Sequence, residues 1–191
     1  MKITIKLLTL SLFLNTYVFA QCPVKGDKPL PKFEHLDSLK NRNYVGTIDS
    51  SVSLQTILTK VNDEKRFKTS QFVKLTGYVI LVKAGGSETC NCHSKDPNDL
   101  DIHIELGLNI GDKPTQAVIV EINRFTKLTH PEYTVANLKK ILLNKKVVVE
   151  GWLFFDEEHK QNAVNTNPNG TNLWRATCWE VHPVLIINIV K

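Results

Sequence analysis

Asp101, His103 and Glu105 stand two residues apart in the segment Asp-Ile-His-Ile-Glu. In an extended chain that spacing puts all three side chains on one face, with neighbours about 6.5–7 Å apart along the strand. An imidazole between carboxylates is equipped to bind zinc or another divalent ion, or to move a proton. The same spacing returns at Glu180 and His182, beside Pro183, and at Glu121 and Asn123. If these faces converge, two histidines and several carboxylates meet. His103 and His182 are then candidate metal ligands of a metal-dependent hydrolase, of the nuclease or phosphodiesterase type. The plainer expectation is a solvated face, because isoleucines alternating with polar residues are what a half-buried strand requires.

A second polar group, Glu157-Glu158-His159, falls in a loop-like stretch over 157–173 that ends in the turn signal Asn-Pro-Asn-Gly. His159, Asn162 and Asn165 could line a ligand cleft there. Tyr78, Trp152, Phe154, Phe155, Trp174 and Trp179 could offer stacking surfaces to sugars or single strands. Core filling is the commoner use of such residues. The chain has no glycine-rich phosphate loop, Gly-x-Ser-x-Gly elbow or His-Glu-x-x-His helix. No catalytic residue and no cofactor is therefore assigned.

The elements that must position these residues read as strands. Gln71–Lys83 is β-branched and aromatic around Gly77, and a glycine inside a strand signals a bulge or bend. Asp101–Leu108, Gln116–Asn123, Lys146–Asp156 (around Gly151) and Arg175–Val190 (broken by Pro183) follow. A helix over Val135–Leu143 separates the third strand from the fourth, with Leu138, Ile141 and Leu142 on one face. This order predicts a mainly β chain closed as an OB-fold-like five-stranded Greek-key barrel. Before it, residues 21–50 read as an irregular lead-in. Over Ser53–Lys65, Leu54, Ile57, Leu58 and Val61 form a helical stripe, with Ser51 or Ser53 as N-cap.

Residues 1–20 carry the marks of a secretory leader: Lys2 and Lys6, the apolar run Leu7–Leu14, then Val18-Phe19-Ala20. An uncleaved anchor and a lipid on Cys22 are the alternatives. The apolar run is too short to span a bilayer, and no later stretch comes closer. The expected organisation is a leader over 1–20, a lead-in with one helix over 21–68 and the barrel over 69–191. The expected location is the periplasm or outside the cell. Residues 21–68 hold nine basic and six acidic residues, whereas 69–191 hold thirteen of each. The barrel is thus neutral, which speaks against a nucleic-acid groove. Export also means an oxidising compartment, where Cys22, Cys90, Cys92 and Cys178 tend to pair. One intervening residue strains a Cys90–Cys92 bridge, so a bond from either to Cys22 or Cys178 is easier. A soft-metal site of Cys90, Cys92 and His93 is the rival use.

The segments DIHIEL (101–106), VIVEI (118–122), GWLFFDEEHKQNAVNTNPNG (151–170) and WRATCWEVHPV (174–184) resemble a group of exported bacterial proteins. That group has an OB-like domain and a Trp-Glu-Ile/Val-His-Pro-Val ending. The resemblance spans roughly residues 70–190 and implies export and the barrel; it carries over no catalytic residue. The resulting reading is an exported binding or interaction module. Its partner is a small molecule, a carbohydrate or a protein, met at Asp101, His103, Glu105, Glu121, His159, Asn165, Glu180 and His182.

Overall fold

Five segments of alternating apolar residues close on one another in the computed structural model, which describes residues 22–191. The leader expected over 1–20 lies outside the described residues. The strands are β1 (Phe72–Ala84), β2 (Ile102–Gly107), β3 (Ala117–Ile122), β4 (Lys146–Phe155) and β5 (Trp179–Ile189). They form a closed barrel in the order β1-β2-β3-β5-β4. All pairings are antiparallel except β3 with β5. This is the OB-like barrel expected from the strand order. One side chain in two points inward: Ile102, Ile104, Leu106, Val118, Val120, Ile122, Val149, Leu153 and Val181 fill the core.

Among the described residues four α-helices decorate the barrel: α1 (Pro31–Lys40), α2 (Leu54–Ile57), α3 (Arg124–Thr129) and α4 (Val135–Leu142). The last two lie between β3 and β4, and α4 plugs the core with Leu138 and Leu142. Among the described residues no helix is long and apolar enough to cross a membrane.

Closure depends on β1 serving two partners. Its first half pairs with β4 from Phe72↔Trp152 to Tyr78↔Lys146, and its second half with β2 from Tyr78↔Gly107 onward. The changeover falls just after Gly77, where a Cβ would press on Leu54 and on the Gly107 carbonyl. Gly151 does the same for the β4–β5 crossing, where the register shifts opposite Pro183. A Cβ there would strike the Pro183 carbonyl and the Val181 side chain. Gly151→Ala is therefore expected to cost about 1–3 kcal/mol, as overpacking does. The measurement is a urea titration, with a lower midpoint at unchanged slope; equal midpoints would mean that the crossing has slack.

The N-terminal half departs from expectation twice. Within the supposedly irregular 21–50, Pro31 opens a ten-residue helix, a position where its missing N–H does no harm. No apolar period announces α1 because polar bonds seat it. Asp37 accepts from the Thr89 hydroxyl at 2.9 Å, and Asn41 donates to the carbonyls of Val24 and Cys90. The helix expected over Ser53–Lys65 is much shorter. Ser53 caps it with a reciprocal Ser53/Thr56 box, but it ends at Ile57 and leaves Val61 exposed. Arg66 stops it by donating to the carbonyls of Thr56, Ile57 and Thr59 while pairing with Asp63 at 3.1 Å.

Candidate functional site

Strand register alone assembles the polar cluster. His103 on β2 lies opposite Glu121 on β3. Val120 pairs with Val181 across the parallel β3–β5 seam, so Glu121 and His182 follow side by side. The row His103–Glu121–His182 thus crosses three strands on the outer face of the barrel. His103 Nδ1 lies 2.9 Å from one oxygen of Glu121, and His182 Nδ1 lies 3.1 Å from the other. His103 Nε2 reaches Glu105 at 3.4 Å, and His182 Nε2 reaches Asp101 at 3.0 Å. The two histidines converge on one carboxylate.

The solvated face expected for Asp101, His103 and Glu105 is not what forms. Their exposures are 5%, 6% and 3%. The physical reason is a roof supplied from outside the barrel. Behind α1, the Arg42 guanidinium donates to the carbonyls of Leu153 and His182, and Asn123 donates to the Lys40 carbonyl. Lys40 itself pairs with Glu88 in the loop after β1. From the other side the loop between β4 and β5 brings in Arg175, 1% exposed, which binds Asp156 and Glu180 at 2.6 Å each. Asp156 also accepts from His159 at 2.6 Å.

Between these covers runs a polar cleft of about 300 Å³. Donors Lys83, Arg175, His103 and His159 face acceptors Glu88, Glu121, Asp156 and Glu180, and Trp174 lines the same cleft. Its walls are the end of β1, β2, β3, β5, the loop after β1 and the loop before β5. A larger groove of about 840 Å³ runs over α3 beside Cys22 and Cys92, away from this cluster.

Charge is shared tightly. Burial would push Asp156 up, but His159 and Arg175 hold it well below the ordinary carboxylate range. Burial likewise acts against Glu180, and Arg175 with His182 still brings it below its usual value. Burial opposes the charged form of both central histidines, yet Glu105 and Glu121 push His103 up to about 9. Asp101, Glu180 and Glu121 push His182 up to about 10 against the same opposition.

His159 at the rim is raised mainly by its bond to Asp156, with burial opposing. Its folded value therefore exceeds the unfolded one, near 6.5. The stabilisation is complete below that unfolded value and is lost as pH rises through the folded value. His159→Gln should accordingly lower the urea midpoint more at about pH 5.5 than at about pH 9. A gap that does not change with pH would remove the Asp156–His159 pair as its cause.

Of the residues singled out from sequence, His103, Glu121, His159 and Glu180 line the cleft. Asp101, Glu105 and His182 stand behind that lining, each bonded or paired to the row. Asn165 serves elsewhere: it donates to Asp63 and to the Thr59 carbonyl, tying the long loop to the N-terminal segment. Arg175, Asp156, Lys40 and Glu88 were not foreseen. Arg175 and Asp156 had a readable signal, since each charge abuts a strand end. Lys40 and Glu88 had none, because their meeting depends on how α1 docks. The cysteines resolve as a Cys22–Cys92 disulfide with Cys90 and Cys178 free and buried. Cys92 is thereby withdrawn from any soft-metal site, and Cys22 has no thiol left for a lipid.

No protein-family model and no curated protein matches the chain. The geometry of the cleft carries the functional reading.

Proposed function

We propose that this chain is an exported binding module whose cleft takes a small polyhydroxylated ligand of about one sugar unit. The observation that carries this is where the cleft lies. OB-folds recognise ligands with the face of strands two and three and the loops after strands one and four. His103, Glu121, the Gly85–Glu88 loop and the Asp156–Arg175 loop occupy those positions here. A cleft of about 300 Å³ is at the small end of ligand sites. Its donors and acceptors are already locked to one another, and such rigidity spares a ligand the cost of ordering them. Trp174 adds an apolar surface beside His159, ring centroids 5.1 Å apart. Alternating carboxylates and cations suit hydroxyl groups, which both donate and accept. The same carboxylates repel a phosphate backbone, in keeping with the neutral charge of 69–191. Export is supported by the leader-like first twenty residues and by the Cys22–Cys92 bridge.

The test is a thermal-shift screen of the mature chain with mono- and disaccharides, amino acids, short peptides and oligonucleotides, followed by calorimetry. A saccharide is expected to raise the melting temperature. Trp174→Ala should weaken its binding roughly tenfold, about 1.4 kcal/mol. Salt-sensitive oligonucleotide binding, or turnover of a substrate without a binding response, would sink the proposal.

A further inference from the structure

We infer that Asp101, Glu121 and His182 form a binding site for a divalent transition-metal ion, zinc in the first instance. Glu121 lines the cleft while Asp101 and His182 stand behind it, and the site does not depend on the saccharide reading.

Three donor atoms, one from each residue, lie within 4.8 Å of one another. The side chains come from the start of β2, from β3 and from β5, so the barrel's register holds them together. A ligand set at 2.0–2.2 Å from a common ion needs that kind of convergence. The second observation is the state of His182. It is 0% exposed, and carboxylate oxygens stand at both ring nitrogens, at 3.0 and 3.1 Å. Neither nitrogen nevertheless makes a properly directed hydrogen bond. A neutral imidazole carries one N–H and one lone pair, so one carboxylate must face that lone pair. Two aligned N–H bonds from an imidazolium would cure this, but the ring is not aimed for them. A cation shared between a ring nitrogen and the flanking oxygens cures it without that alignment.

Charge and donor type point the same way. Asp101, Glu105, Glu121, Asp156 and Glu180 are all buried in this region, and Arg175 is committed to Asp156 and Glu180. Two carboxylates and a neutral imidazole balance a dication. Oxygen donors with one imidazole fit zinc or manganese and exclude the soft thiolate-seeking ions. His103 completes the arrangement from behind. It holds the Glu121 oxygen that does not face His182, which makes it a positioning residue of the outer shell.

The experiment uses the full mature chain, stripped with chelator and titrated with zinc alone, then manganese, by calorimetry and native mass spectrometry. One zinc per chain is expected, with a melting temperature that rises on zinc and falls back with EDTA. Asp101→Asn should abolish stoichiometric binding. His103→Gln should keep one site but weaken it by about 10–100-fold. His182→Gln risks the fold, so the histidine is read in the intact protein by ¹⁵N NMR. With zinc present, one ring nitrogen of His182 should carry metal and no proton. Two protonated nitrogens in saturating zinc would overturn the site. So would binding that survives Asp101→Asn but vanishes in Cys90→Ser or Cys178→Ser, since the free thiols would then be the ligands. Loss of saccharide binding with zinc retained would refute the proposed function and leave this site standing.

Discussion

Arg175→Met is expected to destabilise the protein by about 3–5 kcal/mol at neutral pH, the usual consequence of removing one partner from a buried ion pair. Arg175 is 1% exposed and holds two carboxylates at 2.6 Å. Methionine fills much of the volume, so the loss is electrostatic rather than a cavity. Asp156 keeps His159, but Glu180 is left buried without its close ion pair, with His182 at 3.8 Å. Urea unfolding at pH 7 measures the loss. Its pH dependence follows from sign. In the native protein Asp156 sits below its unfolded value, so its stabilisation is present above that value and lost as pH falls through the folded one. Without Arg175 both carboxylates rise, and protonation relieves the variant while it harms the parent. The gap should therefore narrow below about pH 4. Glu180→Gln added to Arg175→Met should recover part of the loss, because the two sites are coupled. A gap of under about 1 kcal/mol at pH 7 would show that water reaches these carboxylates and that the roof over them is open.

The same roof explains what could and could not be read from sequence. Five strands and the helix between the third and fourth were legible because each buries an alternating or helical apolar face in one core. Ile102, Ile104 and Leu106 carry that signal without help. His103 and Glu121 were legible as candidates by residue type, and the parallel β3–β5 pair that brings His182 to them follows from the barrel order. Their burial was not legible. Strand alternation reports which face is apolar, and it is silent on whether the polar face is then covered by something else. Part of the cover is α1, and Asp37, Lys40, Asn41 and Arg42 fasten it through polar bonds without period. The short α2 shows the converse. Its apolar stripe promised more helix than forms, because a tertiary contact from Arg66 took the carbonyls that would have extended it.

Removing the Cys22–Cys92 bridge is expected to have the other large effect. The bond joins positions 70 residues apart, and that loop contains α1, α2 and β1. On a chain-entropy reckoning, closing such a loop stabilises the folded state by about 4 kcal/mol. For a chain of this size that corresponds to a fall of roughly 8–16 °C in melting temperature in the Cys22→Ser/Cys92→Ser variant. The structure argues for a value at or below that figure. Arg124 donates to the carbonyls of Cys22 and Pro23, so the same end of the chain keeps a second anchor once the bridge is gone. Reductant should reproduce the loss in the parent and leave the double variant unmoved. Cys90→Ser and Cys178→Ser should keep their sensitivity to reductant, because both thiols are free. A parent indifferent to reductant, or peptide mapping that finds Cys22 joined to Cys90, would overturn the assignment. The effect reaches the cleft as well. Cys22 leads into α1, and α1 delivers Lys40 to Glu88 at the cleft wall. Chain made in a reducing compartment should therefore be less stable and should bind the proposed saccharide ligand more weakly, and oxidation should restore both together.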